Sequence, residues 1–120
     1  MARHNFRNLK TWLHGMDLVD DVYLFAKTLP DDEKYGLRSQ IKRCAVSIPS
    51  NVAEGSAKNS DKDFVRFLGI ALGSSYELET QLIICERQRI GDQNALPKLV
   101  TGVQEIQRMI TSFQNYLRKS

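Results

Sequence analysis

An all-α fold, an antiparallel up-down-up-down four-helix bundle, is predicted by three observations on this 120-residue sequence. Four segments carry apolar residues at spacings of three and four, the period that turns one face of a helix toward a core. The breaks between them are short and hold proline, glycine and capping residues. Connections of a few residues cannot carry the chain back along the length of a helix, so sequential helices must run antiparallel. One domain is expected over residues 1–120, long enough to bury roughly two thirds of its unfolded surface.

The first helix begins at Leu9 and repeats through Trp12, Met16, Val19, Tyr23 and Ala26. It ends near "TLPDDEK", where Pro30 cannot continue it and Asp31, Asp32 and Glu33 offer acceptors to the next N-terminus. The second carries Leu37, Ile41, Cys44, Ile48 and Val52. Because Ile48 and Val52 keep the register of Leu37 and Ile41, this helix is expected to run through Pro49 with a kink. That proline deprives the Ala45 carbonyl of its helical donor, which a polar side chain or water must replace if the group is buried.

Gly55 and "SAKNS" let the chain turn, and Ser60 is placed to cap the amide of Asp63. The third helix shows Phe64, Leu68, Ala71, Ser75, Leu78, Leu82 and Cys85, stops at Gly91, and at roughly 30 residues is about 45 Å long. After Asn94, the expected cap, Leu96, Leu99, Val103, Ile106, Ile110, Phe113 and Leu117 alternate three and four over three heptads.

Composition excludes several classes. The chain is 42% hydrophobic and 26% charged, without a low-complexity run. Nowhere do eighteen apolar residues run together, and the basic "MARHNFRNLK" leads into no apolar signal core, so a cytoplasmic location is expected. Cys44 and Cys85 lack any zinc spacing and fall on apolar helical positions, as reduced core residues do. No Glu is followed by His at the third position, as a di-iron bundle site requires. Glu77 and Glu79, two apart, face different ways and cannot act as an acid/base pair; His14 reads as a surface residue. With no phosphate loop, nucleophile elbow or dinucleotide fingerprint, neither an enzyme nor a cofactor is expected.

The stretch "SIPSNVAEG" sets Ser47, Ser50, Asn51 and Glu54 as a polar stripe beside the apolar arc of the second helix. Antiparallel pairing places Asn51 level with Arg66 and brings Glu54 within reach of Arg66. The stripe reads first as a network fixing the second helix against the third, and second as a recognition or catalytic site.

"LKTWLHGMDLVDDVY", "GLRSQIKRCAVSIPSNVAEGSAKNSDKDFVRFLGIALGSSYELETQL" and the closing amphipathic helix resemble the four-helix proteins encoded in intervening sequences of bacterial large-subunit ribosomal RNA genes. Related members are accessory proteins of reverse transcriptases in diversity-generating retroelements. The resemblance implies a homopentameric ring, with RNA and reverse-transcriptase binding in the retroelement branch.

The residues themselves also point to assembly. Gly69 and Gly73 lie four apart and leave a groove, next to Tyr76, where another backbone can approach, either that of a second subunit or that of helix 1 or 4 in the same one. Phe67, Ile70, Leu72, Tyr76, Ile83 and Ile84 make the third helix apolar around much of its circumference, more than one core can cover. In this topology one end of the rod collects Arg3, Arg7, Lys10, Lys58, Lys62, Arg66, Arg118 and Lys119 against Glu54, Asp61 and Asp63, eight against three, a net of +5. The other end sets six basic residues against seven acidic ones, about −1. Aligned in a ring, the basic ends would form a rim suited to phosphate backbones of RNA or a nucleoprotein complex. With only Phe6 and Tyr116 as nearby aromatic platforms, sequence-specific reading is not expected. The alternative is an oligomeric scaffold that binds protein and no nucleic acid.

Overall fold

A computed structural model describes residues 4–33 and 35–119. Four helices, α1 (Lys10–Ala26), α2 (Leu37–Ser56), α3 (Asp61–Gln88) and α4 (Leu96–Lys119), form the bundle, and no strand occurs among the described residues. Short 3-10 turns over Phe6–Asn8 and Asp31–Glu33 precede α1 and α2. The rod measures 45 × 22 × 20 Å, as expected from the length of α3.

Ring contacts and cross-connections establish the up-down order. His4 before α1 meets Phe64 at the start of α3 at 5.2 Å between centroids, and Phe64 meets Phe113 near the end of α4 at 5.1 Å. At the other end Thr28 Oγ1, after α1, accepts from the Asp92 amide between α3 and α4 at 2.8 Å. α1 and α3 therefore run one way, and α2 and α4 the other.

One core runs the length of the rod, from Phe25, Leu29 and Leu96 at one end to Phe64 and Leu117 at the other. The expected stripes of α2 and α3 lie in it almost without change: Ile41, Cys44, Ile48 and Val52, and Phe64, Leu68, Ala71, Ser75, Leu78, Leu82 and Cys85, are buried, with Leu37 half-buried. α4 buries its seam from Leu96 to Leu117, with Phe113 half-buried.

α1 corrects the sequence reading. Leu18, Val22, Phe25 and Ala26 enter the core, while Met16 and Tyr23 are exposed and Trp12 and Val19 half-buried. The reason is a close approach: a Cβ at Gly15 would stand 3.3 Å from Pro49 Cβ, so α1 turns its smallest residue toward α2 at the proline. Pro49 itself is buried inside an unbroken α2.

Gly55 serves a similar end. A Cβ there would lie 2.8 Å from both Phe64 and Phe67, so a bare backbone is needed where α2 meets the start of α3. Ser60 Oγ then accepts from the Asp63 amide at 3.1 Å, the expected cap. The end of α3 differs from expectation: it stops at Gln88, capped by Arg89 in the left-handed region (φ 57°), and Gly91 (φ 77°) turns the chain afterwards. Asn94 does not cap α4, because the first helical bond runs from Leu99 N to the Ala95 carbonyl.

Candidate nucleic-acid interface

The basic end is assembled as the topology requires. Arg7 precedes α1, Lys10 opens it, Lys58 sits in the α2–α3 turn, Lys62 and Arg66 ride the first turns of α3, and Arg118 and Lys119 close α4. All are exposed except half-buried Lys58; Arg3 lies outside the described residues.

Two of these cations share one aromatic ring. Lys58 Nζ stands 4.9 Å, and the Arg66 guanidinium 4.6 Å, from the Phe67 centroid. Cation–π attraction and packing along the stems hold both heads at the turn. The expected Arg66–Glu54 pair is replaced by this stacking, and no ion pair joins the two among the described residues. Phe67, expected from the sequence to add excess apolar surface, is only 8% exposed, so its ring is a support for cations and not a platform for a base. The signal was present in "KNSDKDFVRF", an aromatic flanked by cations on both sides of a tight turn. Elsewhere at this end Arg7 lies 5.0 Å over Phe6, and Tyr116 is exposed.

The polar stripe divides. Ser47 Oγ pairs with Ser74 Oγ of α3 at 2.8 Å, and Asn51 Nδ2 donates to the Ser47 carbonyl at 2.8 Å and to Ser47 Oγ at 3.0 Å. The Ser47–Ser74 bond bridges α2 to α3, and Asn51 braces Ser47 from within α2. Ser50 is exposed and lines a small groove with Trp12, Met16, Val19, Val46 and Pro49 on the α1 side, and Glu54 is exposed. Asn51 thus serves the Ser47 carbonyl and not that of Ala45.

The outer face of α3 is only partly spoken for. A Cβ at Gly69 would meet Gln114 Nε2 of α4 at 3.6 Å, so that glycine faces inward, whereas one at Gly73 would meet nothing within 4 Å. Ile70 and Tyr76 flank Gly73 on α3, and Ile83 and Ile84 follow about three turns further along, each 41–53% exposed. No contact within the subunit explains Gly73.

Glu77 and Glu79 point apart as expected. Glu79 accepts from Gln104 and Gln107 of α4, at 3.1 and 2.8 Å, while Glu77 lines a groove on the α2 side. His14, exposed, lies 3.6 Å from Glu105. Cys44 and Cys85 are buried free thiols, held protonated with pKa values of about 11, first by burial and then by Glu77 beside Cys44 and Glu33 near Cys85. Among the described residues no group of three or more His, Cys, Asp or Glu side chains is arranged to hold a metal.

A crystal structure of a protein with unknown function from the S23 ribosomal protein family of Bacteroides thetaiotaomicron has the same fold. It superposes with a TM-score of 0.80 at 23% identity, covering 87% of this chain and 97% of that one. No curated protein matches the chain. The family model of the 23S rRNA-intervening sequence proteins matches residues 7–112. This chain belongs to that family.

Proposed function

We propose that this is a non-catalytic cytoplasmic protein that assembles with itself, as a homopentameric ring, and associates with RNA or a nucleoprotein complex through phosphates at its basic end. The observation that carries the reading is the cation cluster at the α2–α3 turn, where Lys58 and Arg66 are stacked on one buried ring beside Lys62. Cations fixed on a rigid helix end lose little side-chain freedom on meeting a phosphate. Aligned copies would multiply a modest charge into a continuous rim.

The exposed apolar residues along α3 and the uncovered Gly73 support self-association. No described helix is long and apolar enough to cross a membrane, in keeping with a cytoplasmic site.

A gel-shift series with structured RNA at rising salt tests the reading. Retention should fall with a slope of about −0.7 per phosphate contacted, and reversing Lys58, Lys62 and Arg66 to glutamate should flatten that slope by about 2 while leaving helicity intact. No retention even at low salt leaves the second reading, an oligomeric scaffold for protein partners, which the apolar α3 face favours. Light scattering at micromolar concentration checks assembly; a monomer contradicts it.

A further inference from the structure

Two apolar surfaces lie on different sides of the rod. One is the groove between α1 and α2 beside Pro49, a concavity of about 320 Å³ in which Ser50 is the single hydrophilic lining side chain. The other is a ridge. Ile70, Gly73, Glu77, Thr80 and Ile84 recur at three and four along α3, all exposed, on the side away from its core stripe. A glycine in mid-helix costs stability, and Gly73 touches nothing within the subunit, so a close approach from outside gives it a use.

Contacts inside the subunit fix the heights of these surfaces along the rod. Ser47 meets Ser74 and Gln40 meets Gln81, so Glu77 is level with Cys44, Gly73 with Ile48 and Ile70 with Asn51. Gly15 lies against Pro49 and Tyr23 against Lys42, which carries the same levels across to α1. In copies whose basic ends are aligned, Ile70 and Gly73 of one therefore stand at the height of the groove of the next, and Glu77 at that of Arg43.

The charges match as well. From Leu37 to Ala53, α2 holds Arg38, Lys42 and Arg43 and no carboxylate. Arg38 turns to the Leu29 carbonyl and Asp31, and Lys42 rests over the Tyr23 ring. Arg43 is exposed, donates to the neutral Ser39 hydroxyl, and has no carboxylate partner among the described residues. Glu77 is the one charge on the ridge. Ridge against ridge at equal height would oppose Glu77 to Glu77, and groove against groove would enclose a void.

We propose that a second copy of this chain lays its Ile70–Gly73–Glu77 ridge into the α1–α2 groove, Ile70 and Gly73 meeting Trp12, Met16 and Val46 while Glu77 reaches Arg43. Each copy offers one ridge and one groove, a head-to-tail contact of the kind that closes into rings. This pairing rests on the self-association proposed above and specifies which faces meet.

Mixing two disabled chains tests it. Val46→Glu charges the groove and Ile70→Glu the ridge, both at exposed positions, so circular dichroism should report unchanged helicity. In sedimentation the wild-type chain should associate, and either variant alone should do so at least tenfold more weakly. The mixture should form a one-to-one dimer, because it still holds one intact groove and one intact ridge. Glu77→Arg should weaken association about tenfold, and Arg43→Glu added to it should recover most of the loss. If the wild-type chain associates but the mixed variants stay apart, or Val46→Glu associates as the wild type does, the pairing is overturned and self-association stands. A double variant no tighter than Glu77→Arg alone overturns it too. A wild-type chain that is monomeric at micromolar concentration removes both.

Discussion

α1 and α4 lie side by side in the bundle and differ in how many of their faces are apolar. α4 buries Leu99, Val103, Ile106 and Ile110 and turns Gln104, Glu105, Arg108 and Thr111 outward. α1 buries Leu18, Val22 and Phe25, yet also keeps Trp12, Met16, Val19 and Tyr23 on a second face beside α2. A helix with one stripe can dock in one rotation only. A helix with two can dock in either, and the choice falls to the small residues: Gly15 is turned in because only there can α1 approach Pro49. The face left over includes apolar side chains with little cover inside the subunit.

The strongest test of that contrast truncates one core residue on each helix. Ile110→Ala and Leu18→Ala should each lower unfolding free energy by about 2–5 kcal/mol in denaturant titrations, since both are buried. Were Leu18→Ala to cost less than 1 kcal/mol, the rotation assigned to α1 would be wrong.

Filling the close approach comes next. Gly15→Leu should destabilise by about 1–3 kcal/mol, because its Cβ would already crowd the Pro49 ring and the rest of the side chain has no room. Gly102→Ala on α4 sharpens the comparison in the opposite direction. Its Cβ would rest 3.6 Å from Leu18 Cδ1, ordinary contact, so stability should rise by up to about 1 kcal/mol through helix propensity.

The thiols of α2 and α3 extend the contrast to the other pair of helices through pH. Both have folded pKa values raised from 9.0 to about 11, so their contribution is fully present below pH 9 and lost as pH rises through 11. Denaturation midpoints should therefore fall between pH 9 and 11, and fall less in a Cys44→Ala/Cys85→Ala variant measured against its own value at pH 8. The smallest effect belongs to the outer face of α1. Met16→Ala, 39% exposed, should change subunit stability by no more than about 0.5 kcal/mol, and a larger loss would mean that this face is covered.

Much of the candidate interface was legible in the chain. Short connections dictate which helix ends coincide, so the clustering of Lys58, Lys62, Arg66, Arg118 and Lys119 follows from topology and composition. What Arg66 contacts does not follow from register: level with Asn51 in sequence terms, it turns along its own helix onto Phe67, because a flexible guanidinium takes the nearest ring when the carboxylate stays in water. The link from Ser47 to Ser74 was equally hidden, since it lies one turn beyond the register that the connecting turn suggests.

The helices, their antiparallel order, the single seam of α4 and the charge asymmetry of the two ends were determined by sequence alone, because apolar period and loop length act locally and admit one solution. The rotation of α1, the division of the Ser47, Ser50, Asn51 and Glu54 stripe, and the inward Gly69 against the open Gly73 were decided by tertiary structure. Each depends on how closely two backbones approach, a distance set by the packing of all four helices together.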